Sequence, residues 1–329
     1  MERAKGILYA ALSSSTFGLA PLFTLLLLGL GYSSFEVLSY RWGVASLFLG
    51  ALALLAGRSF RLSWPELRTV FFLSLFRAAT SLSLVIAYQH IASGVASTIH
   101  FMYPLAVALA MMCFFREKGS VWVFAAIGMS IVGAVLLSLG NVDFTRGNTT
   151  LGMVSAAVSV VSYGGYIVGV RKSRAVGIDS TVLTCYVMGL GALYFIAGGL
   201  VTGGIRIETD GTAWLCILGV ALPATAVSNM TLVQAIKRIG PTLTSVFGAL
   251  EPLTAVVIGV AVFGERFTLR IGTGVLLILV AVTLIIAGKS IRIPTSVTHL
   301  ARWMARPRLP RWAVRWARRL PLPRIRRTR

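Results

Sequence analysis

The chain has 329 residues, of which 57% are hydrophobic and 12% charged, with a mean hydropathy of +0.84. That balance excludes a soluble globular domain, in which about a quarter of residues are charged. The formal net charge of +21 is concentrated at one end, where Lys289 to Arg329 carries thirteen basic residues and no acidic one.

Ten apolar runs follow one another along the chain, at 6–30, 35–57, 67–88, 92–115, 119–140, 150–171, 180–203, 211–235, 239–263 and 268–288. Short charged or Gly/Pro-containing breaks separate them. Most are long enough to cross a hydrocarbon core of about 30 Å as a helix. They lack the alternation a membrane barrel requires, and the first is too long, without a small-residue cleavage site, for a signal peptide. The sequence therefore predicts an all-α membrane protein with ten transmembrane helices.

The chain also repeats itself. Gly6-Ile-Leu-Tyr-Ala-Ala-Leu-Ser-Ser-Ser-Thr-Phe-Gly18 returns as Gly152-Met-Val-Ser-Ala-Ala-Val-Ser-Val-Val-Ser-Tyr-Gly164, an offset of 146 residues. Tyr103-Pro104 followed by Phe115-Arg116-Glu117-Lys118 returns as Glu251-Pro252 followed by Phe263-Gly264-Glu265-Arg266, an offset of 148. The organisation read from this is a first repeat at 1–140, a periplasmic linker at 141–149, a second repeat at 150–288 and a basic cytoplasmic tail at 289–329. Lys and Arg sort the loops. One side holds Arg3, Lys5, Arg58, Arg61, Arg68, Arg116, Lys118, Arg171, Lys172, Arg174, Lys237 and Arg238, and the other only Arg146, Arg206, Arg266 and Arg270. The positive-inside rule then places both termini in the cytoplasm of a multi-pass protein of the inner (plasma) membrane. Five spans per repeat is an odd number, so the second repeat enters upside down: two inverted five-helix repeats around a central cavity.

In the tail, Trp312, Trp316 and Leu320 line one side of a short helix and Arg311, Arg315, Arg318 and Arg319 largely the other. Pro307, Pro310, Pro321 and Pro323 limit that helix to about two turns. The pattern fits an interfacial segment on anionic lipid headgroups; a disordered tail that reinforces topology fits equally. A juxtamembrane tail already faces anionic headgroups, which argues against nucleic acid as a partner.

These landmarks resemble two EamA domains of the drug/metabolite transporter superfamily, over about residues 5 to 288. Ser15-Thr-Phe-Gly18 and Ser162-Tyr-Gly164 resemble the aromatic and small-residue break in that family's first helix, and Tyr40-Arg41-Trp42 its Arg-aromatic pair in the second. Ala87 to Glu117 and Ala235 to Glu265 are similar to its Ser/Thr-rich helix with a central Pro and a closing Phe-x-Glu-basic, and Leu250-Glu251-Pro252 to its second midpoint. The resemblance implies ten helices, a central substrate cavity and movement of small metabolites, often outward.

Polar groups inside the apolar runs locate a site, because an ionisable side chain at mid-bilayer costs about 3 kcal/mol or more and needs a partner or a task. Helical rise places Arg77 about 15 Å into the third span, His100 about 12 Å into the fourth and Glu251 about 18 Å into the ninth, all near the midplane. Arg77 and Glu251 either lock together as an ion pair or serve a substrate. In the second case Arg77 would hold a carboxylate or phosphate through its planar fork, and Glu251 an amine or a proton. His100 shares a stripe with Ser93, Ser97 and Pro104, as a hydrogen-bonded packing residue or a proton carrier. Tyr103 is the repeat mate of Glu251. Ser81, Tyr88, Tyr163 and Tyr166 are candidate cavity-lining residues, as are the amides of Asn229 and Gln234, which need partners when buried. Arg41 lies near enough to its helix end to snorkel, and reads as structural. Pro104 and Pro252, at equivalent positions, are candidate hinges on which the halves rock.

Cys113, Cys185 and Cys216 are scattered within apolar runs and read as small fillers, with no metal or cofactor motif in the chain. No paired catalytic constellation argues for an enzyme, and no filter sequence for a channel. The expectation is a secondary transporter, a monomer or homodimer exporting small polar metabolites such as amino acids. An importer or lipid-linked head-group flippase of the same fold is the alternative, and a receptor or structural subunit the alternative of another class.

Overall fold

Apolar sequence deprived of water must satisfy its backbone internally, and the helix does so within each segment. The computed structural model describes residues 2–91, 93–117, 120–138, 147–263 and 268–287, and among them every regular element is helical. The tail at 289–329, the linker residues 141–146 with Asp143 and Arg146, and the loop residues Lys118, Glu265 and Arg266 lie outside the described residues.

The first half runs α1 (Glu2–Phe17), α2 (Ala20–Gly29), α3 (Ser34–Leu55), α4 (Trp64–His90), α5 (Ser93–His100), α6 (Tyr103–Phe115) and α7 (Val121–Ser138). The second runs α8 (Thr149–Lys172), α9 (Ser180–Thr202), α10 (Gly211–Ala221), α11 (Ser228–Ile239), α12 (Pro241–Val246), α13 (Leu250–Phe263) and α14 (Leu269–Ala287). Starts are marked by short polar caps. Ser33 and Glu36 form a capping box before α3, and Asn148 and Asp179 accept backbone N–H groups at the starts of α8 and α9. Seven segments are long and apolar enough to cross a membrane: Glu2–Gly29, Ser34–Leu55, Trp64–His90, Val95–Phe115, Thr149–Lys172, Ser180–Thr202 and Gly211–Ile239. Val121–Leu136 and Leu269–Leu284 are shorter apolar helices.

Three of the long segments are broken, each beside a proline, and a fourth break of the same kind interrupts the run 241–263. α1 passes to α2 through Gly18 and Leu19, with Pro21 in the first turn of α2. A Cβ on Gly18 would sit 2.7 Å from the Glu251 carbonyl oxygen and 2.8 Å from Thr254 Cβ, so its absence lets α13 approach this break. α5 and α6 separate at Phe101 and Met102, just before Pro104. α10 joins α11 through a π-helical stretch, Leu222–Val227, containing Pro223, and a 3₁₀ turn at Phe247–Ala249 precedes Pro252 in α13. Proline removes a backbone donor and crowds the preceding turn, which accounts for the positions of these breaks.

The most extensive packings are α3 on α9, α4 on α8, α7 on α14 and α1 on α11. Exchanging the two halves leaves this set unchanged: α4–α8 and α1–α11 interchange, while α3–α9 and α7–α14 map onto themselves. Burial is inside-out relative to a soluble protein. Phe72, Val161 and Leu215 face outward at 56%, 70% and 71% exposure, whereas Ser159, Thr184 and Asn229 are fully enclosed. An apolar exterior around a partly polar interior is what a lipid solvent selects.

Ionic contacts tie both ends. Beside the start of α3, the Glu36 carboxylate accepts from Ser33 N at 2.8 Å and from Arg206 N and Nε at 3.1 Å, while the Arg206 guanidinium lies 4.0 Å over the Tyr32 ring. At the opposite end Arg238 pairs with Glu2, Arg58 with Asp179, and Arg171 donates to the Lys237 carbonyl. Glu36→Ala removes the acceptor of three donors on the exposed residues Ser33 and Arg206 and is expected to lower stability by about 1 kcal/mol. Glu2→Ala, at a carboxylate that is 71% exposed, should leave the melting temperature in detergent unchanged within error.

Candidate functional site

Arg77 is at the middle of α4 and is 1% exposed. Its Nε donates to Asn229 Oδ1 at 2.8 Å and its Nη1 to Ser81 Oγ at 3.3 Å. The guanidinium carbon lies over four rings, at 5.4 Å from Phe17, 5.9 Å from Trp42, 5.1 Å from Tyr163 and 6.0 Å from Tyr166. Asn229 Nδ2 donates to the Thr225 carbonyl at 2.7 Å, which fixes the amide with its oxygen toward Arg77. Among the described ion pairs Arg77 has no carboxylate within salt-bridge distance, so the lock with Glu251 that the sequence left open is not formed.

Arg41 departs from the sequence reading. It does not snorkel: it is 4% exposed and turns inward, its Nε donating to Thr225 Oγ1 at 2.5 Å. The π-helical stretch produces this, because Thr225 Oγ1 donates back to the Val220 carbonyl at 2.7 Å and presents its lone pairs to Arg41. The Arg41 guanidinium lies 5.7 Å from the same Phe17 ring that faces Arg77, and its Nη2 is buried without a hydrogen-bond partner.

A second cluster adjoins this one. His100 Nδ1 lies 2.8 Å from Ser159 Oγ, whose own proton goes to the Ala156 carbonyl at 2.6 Å. Nδ1 is therefore the protonated nitrogen, and Nε2 is buried without a partner. The His100 ring stacks on Tyr163 at 5.3 Å and lies 5.4 Å from Tyr103. Tyr103 meets Tyr163 edge-on at 4.6 Å and donates its hydroxyl to Glu251 Oε1 at 3.2 Å. Tyr163 touches both groups, so Arg77, His100, Tyr103 and Glu251 form one aromatic-bridged assembly drawn from α4, α5, α6, α8 and α13.

Beside Arg77 is a small cavity of about 20 Å³, with Phe17, Thr24, Arg41, Arg77, Ser81 and Tyr88 in its wall. It occupies the half of the bundle formed by α2, the first part of α3 and the last part of α4, away from the end tied by Arg238 and Glu2. Tyr88 Oη lies 3.4 Å from Ser97 Oγ. Of the sequence candidates only Gln234 is elsewhere: its Oε1 accepts from Arg238 Nη1 at the tied end. The charge of Arg238, one turn away, captures it. Pro104 and Pro252 adjoin Tyr103 and Glu251.

Phe17, Trp42, Thr225 and Ser159 were not among the sequence candidates. The first two stood in the motifs that carry the family resemblance, but nothing in an apolar run marked them as facing a cation. Thr225 did carry a signal. The repeat offset of 148 takes Arg77 to Thr225, Ser81 to Asn229 and Tyr103 to Glu251, so side chains of repeat-equivalent positions meet in one place.

A bundle of apolar helices with its charges turned inward around a cavity defines a membrane transport protein. The chain belongs to the EamA-like transporter family, whose model matches residues 4–139 and again 150–287. It is 26% identical over 283 residues to the uncharacterized transporter YojE of Bacillus subtilis, covering 81% of this chain and 88% of that one. An uncharacterized transporter of Archaeoglobus fulgidus is 25% identical over 223 residues, covering 68% and 77%. The fold is shared with a protein of known crystal structure at TM-score 0.71 and 18% identity, over 92% of this chain and 98% of that one.

Gly248 makes room for this assembly, since a Cβ there would fall 1.7 Å from Tyr103 Oη. Gly248→Ala should displace the Tyr103 hydroxyl from Glu251, with a stability loss of about 1–3 kcal/mol in a thermal melt. The double change Gly248→Ala/Tyr103→Phe should recover only part of that loss, because the ring carbon Cζ would still lie 2.7 Å from the new Cβ and Glu251 would lose its hydroxyl donor.

Proposed function

We propose that this protein is a secondary transporter that moves small polar metabolites, outward from the cell, by alternating access at the Arg77 cavity. The observation that carries the reading is that cavity: two buried arginines and several hydroxyls in an otherwise apolar wall drawn from the first repeat, with Asn229 and Thr225 of the second repeat holding the two guanidinium groups. The exchange symmetry of the packing supports ten spans arranged as two five-helix repeats, and the odd count per repeat makes them inverted in the membrane of the cell.

Arg77, with Ser81 and Asn229 holding its fork, is the principal substrate contact, and Tyr88 closes one side of the cavity. The Tyr103–Glu251 hydrogen bond crosses between repeat-equivalent positions, immediately beside Pro104 and Pro252. Rocking of the halves on those two breaks makes and breaks it, so Tyr103 and Glu251 report which side is open. Contacts between the halves occur at both ends, Glu2–Arg238 and Arg58–Asp179 at one and Glu36–Arg206 at the other, and the cavity lies nearer the Glu36 end.

Reconstitution tests this. Proteoliposomes loaded with unlabelled solutes should accumulate a labelled solute of one class by counterflow from a panel of amino acids, nucleosides and organic acids. Arg77→Gln should reduce the initial rate to background while the variant still elutes as a folded species. Failure of the folded wild-type protein to exchange any class contradicts the transport reading.

A further inference from the structure

Resting on the transport reading, we propose that the cavity selects organic dianions, such as dicarboxylates or phosphate monoesters, over zwitterions and cations. Two guanidinium groups share its wall, at 5.7 and 5.4 Å from the single Phe17 ring between them, and both are almost wholly buried. Like charges so placed repel strongly where water is scarce, and each demands compensation. The wall supplies none. Its remaining polar members are the hydroxyl-bearing Thr24, Thr80, Ser81 and Tyr88, and no carboxylate lines it. The nearest acid, Glu251, is held by the Tyr103 hydroxyl outside the wall.

The donors are also incompletely used. Arg77 spends Nε on Asn229 and Nη1 on Ser81. Arg41 spends only Nε, on Thr225, and its buried Nη2 has no partner. A guanidinium edge left open in a cavity is the geometry that takes a carboxylate or phosphate through two parallel hydrogen bonds. Two arginines with one cavity between them would be neutralised by a ligand bearing two negative charges. Phe17, Ala20, Pro21, Leu84 and Val85 form the remaining, apolar wall, which must open from the small volume seen here to admit a short carbon skeleton.

The test uses the full-length protein purified in detergent and, in parallel, reconstituted in liposomes. Thermal shift is recorded with succinate, 3-phosphoglycerate, lactate, phenylalanine, putrescine and glucose at matched ionic strength, and counterflow is measured with labelled succinate and phenylalanine. The expected result is stabilisation by succinate or 3-phosphoglycerate above all the others. Its half-effective concentration should rise about tenfold or more in Arg41→Gln and in Arg77→Gln. Arg41→Lys, keeping charge without the fork, should lie between. The ranking of solutes on the wild-type protein decides the matter even where an arginine variant does not fold. Preference for phenylalanine, putrescine, lactate or glucose, no stabilisation by any solute, or a dianion effect unchanged in both folded Gln variants overturns the proposal. Phenylalanine counterflow without a dianion effect would leave transport standing and remove the charge assignment. Dianion stabilisation without flux of either solute would do the reverse.

Discussion

Everything near the centre of this molecule is arranged around one buried positive charge. Arg77 is enclosed by helices whose outer surfaces are apolar, where an uncompensated charge costs several kcal/mol. The protein does not answer it with a carboxylate. It answers with dipoles and ring faces: an amide oxygen fixed by its own second hydrogen bond, a serine one helical turn away, and four aromatic rings. Such partners stabilise a cation without cancelling it, each ring contributing about 0.5–2 kcal/mol. A charge held in this way remains available to a ligand, whereas an ion pair would have consumed it.

Duplication explains how such a site arises. Two copies of one helical unit related by exchange bring equivalent positions face to face, so a substitution in one copy meets the corresponding residue of the other. Tyr103 against Glu251 is the direct case, and Arg77 between Ser81 and Asn229 is a variation on it. Thr225, the counterpart of Arg77, has become the anchor for Arg41. A symmetric frame thus carries an asymmetric set of side chains, as recognition of an asymmetric solute requires. The breaks beside Pro21, Pro104, Pro223 and Pro252 lie around this set of side chains.

The helical, membrane-spanning character was legible in composition and run length, because lipid leaves the backbone few alternatives. The depth argument led to Arg77, His100 and Glu251, since a fixed rise per residue converts sequence position into height, and the structure brings the three into one aromatic-bridged assembly. Direction around the helix was harder. Arg41 read as a snorkelling residue because its height permitted it; only the π-helical stretch, which no sequence pattern announced, shows why it turns inward to Thr225. Gln234 failed for the opposite reason, having a polar neighbour one turn away that satisfies it locally. Phe17 and Trp42 stood in recognisable motifs, but their role was not legible, since an aromatic that faces a cation and one that faces lipid are the same letter in an apolar run.

The account depends on Arg77 being held by Asn229 and not by Glu251, and a pair of double-mutant cycles tests that without any knowledge of the ligand. Stability would be measured for Arg77→Gln, Asn229→Leu, Glu251→Gln and the two doubles that contain Arg77→Gln. The coupling between Arg77 and Asn229 should be about 1 kcal/mol or more, with that between Arg77 and Glu251 clearly smaller. A larger coupling to Glu251, with Glu251→Gln destabilising the protein by about 3 kcal/mol or more and Arg77→Gln relieving it, would mean that Arg77 is paired after all and is not a free cation in the cavity.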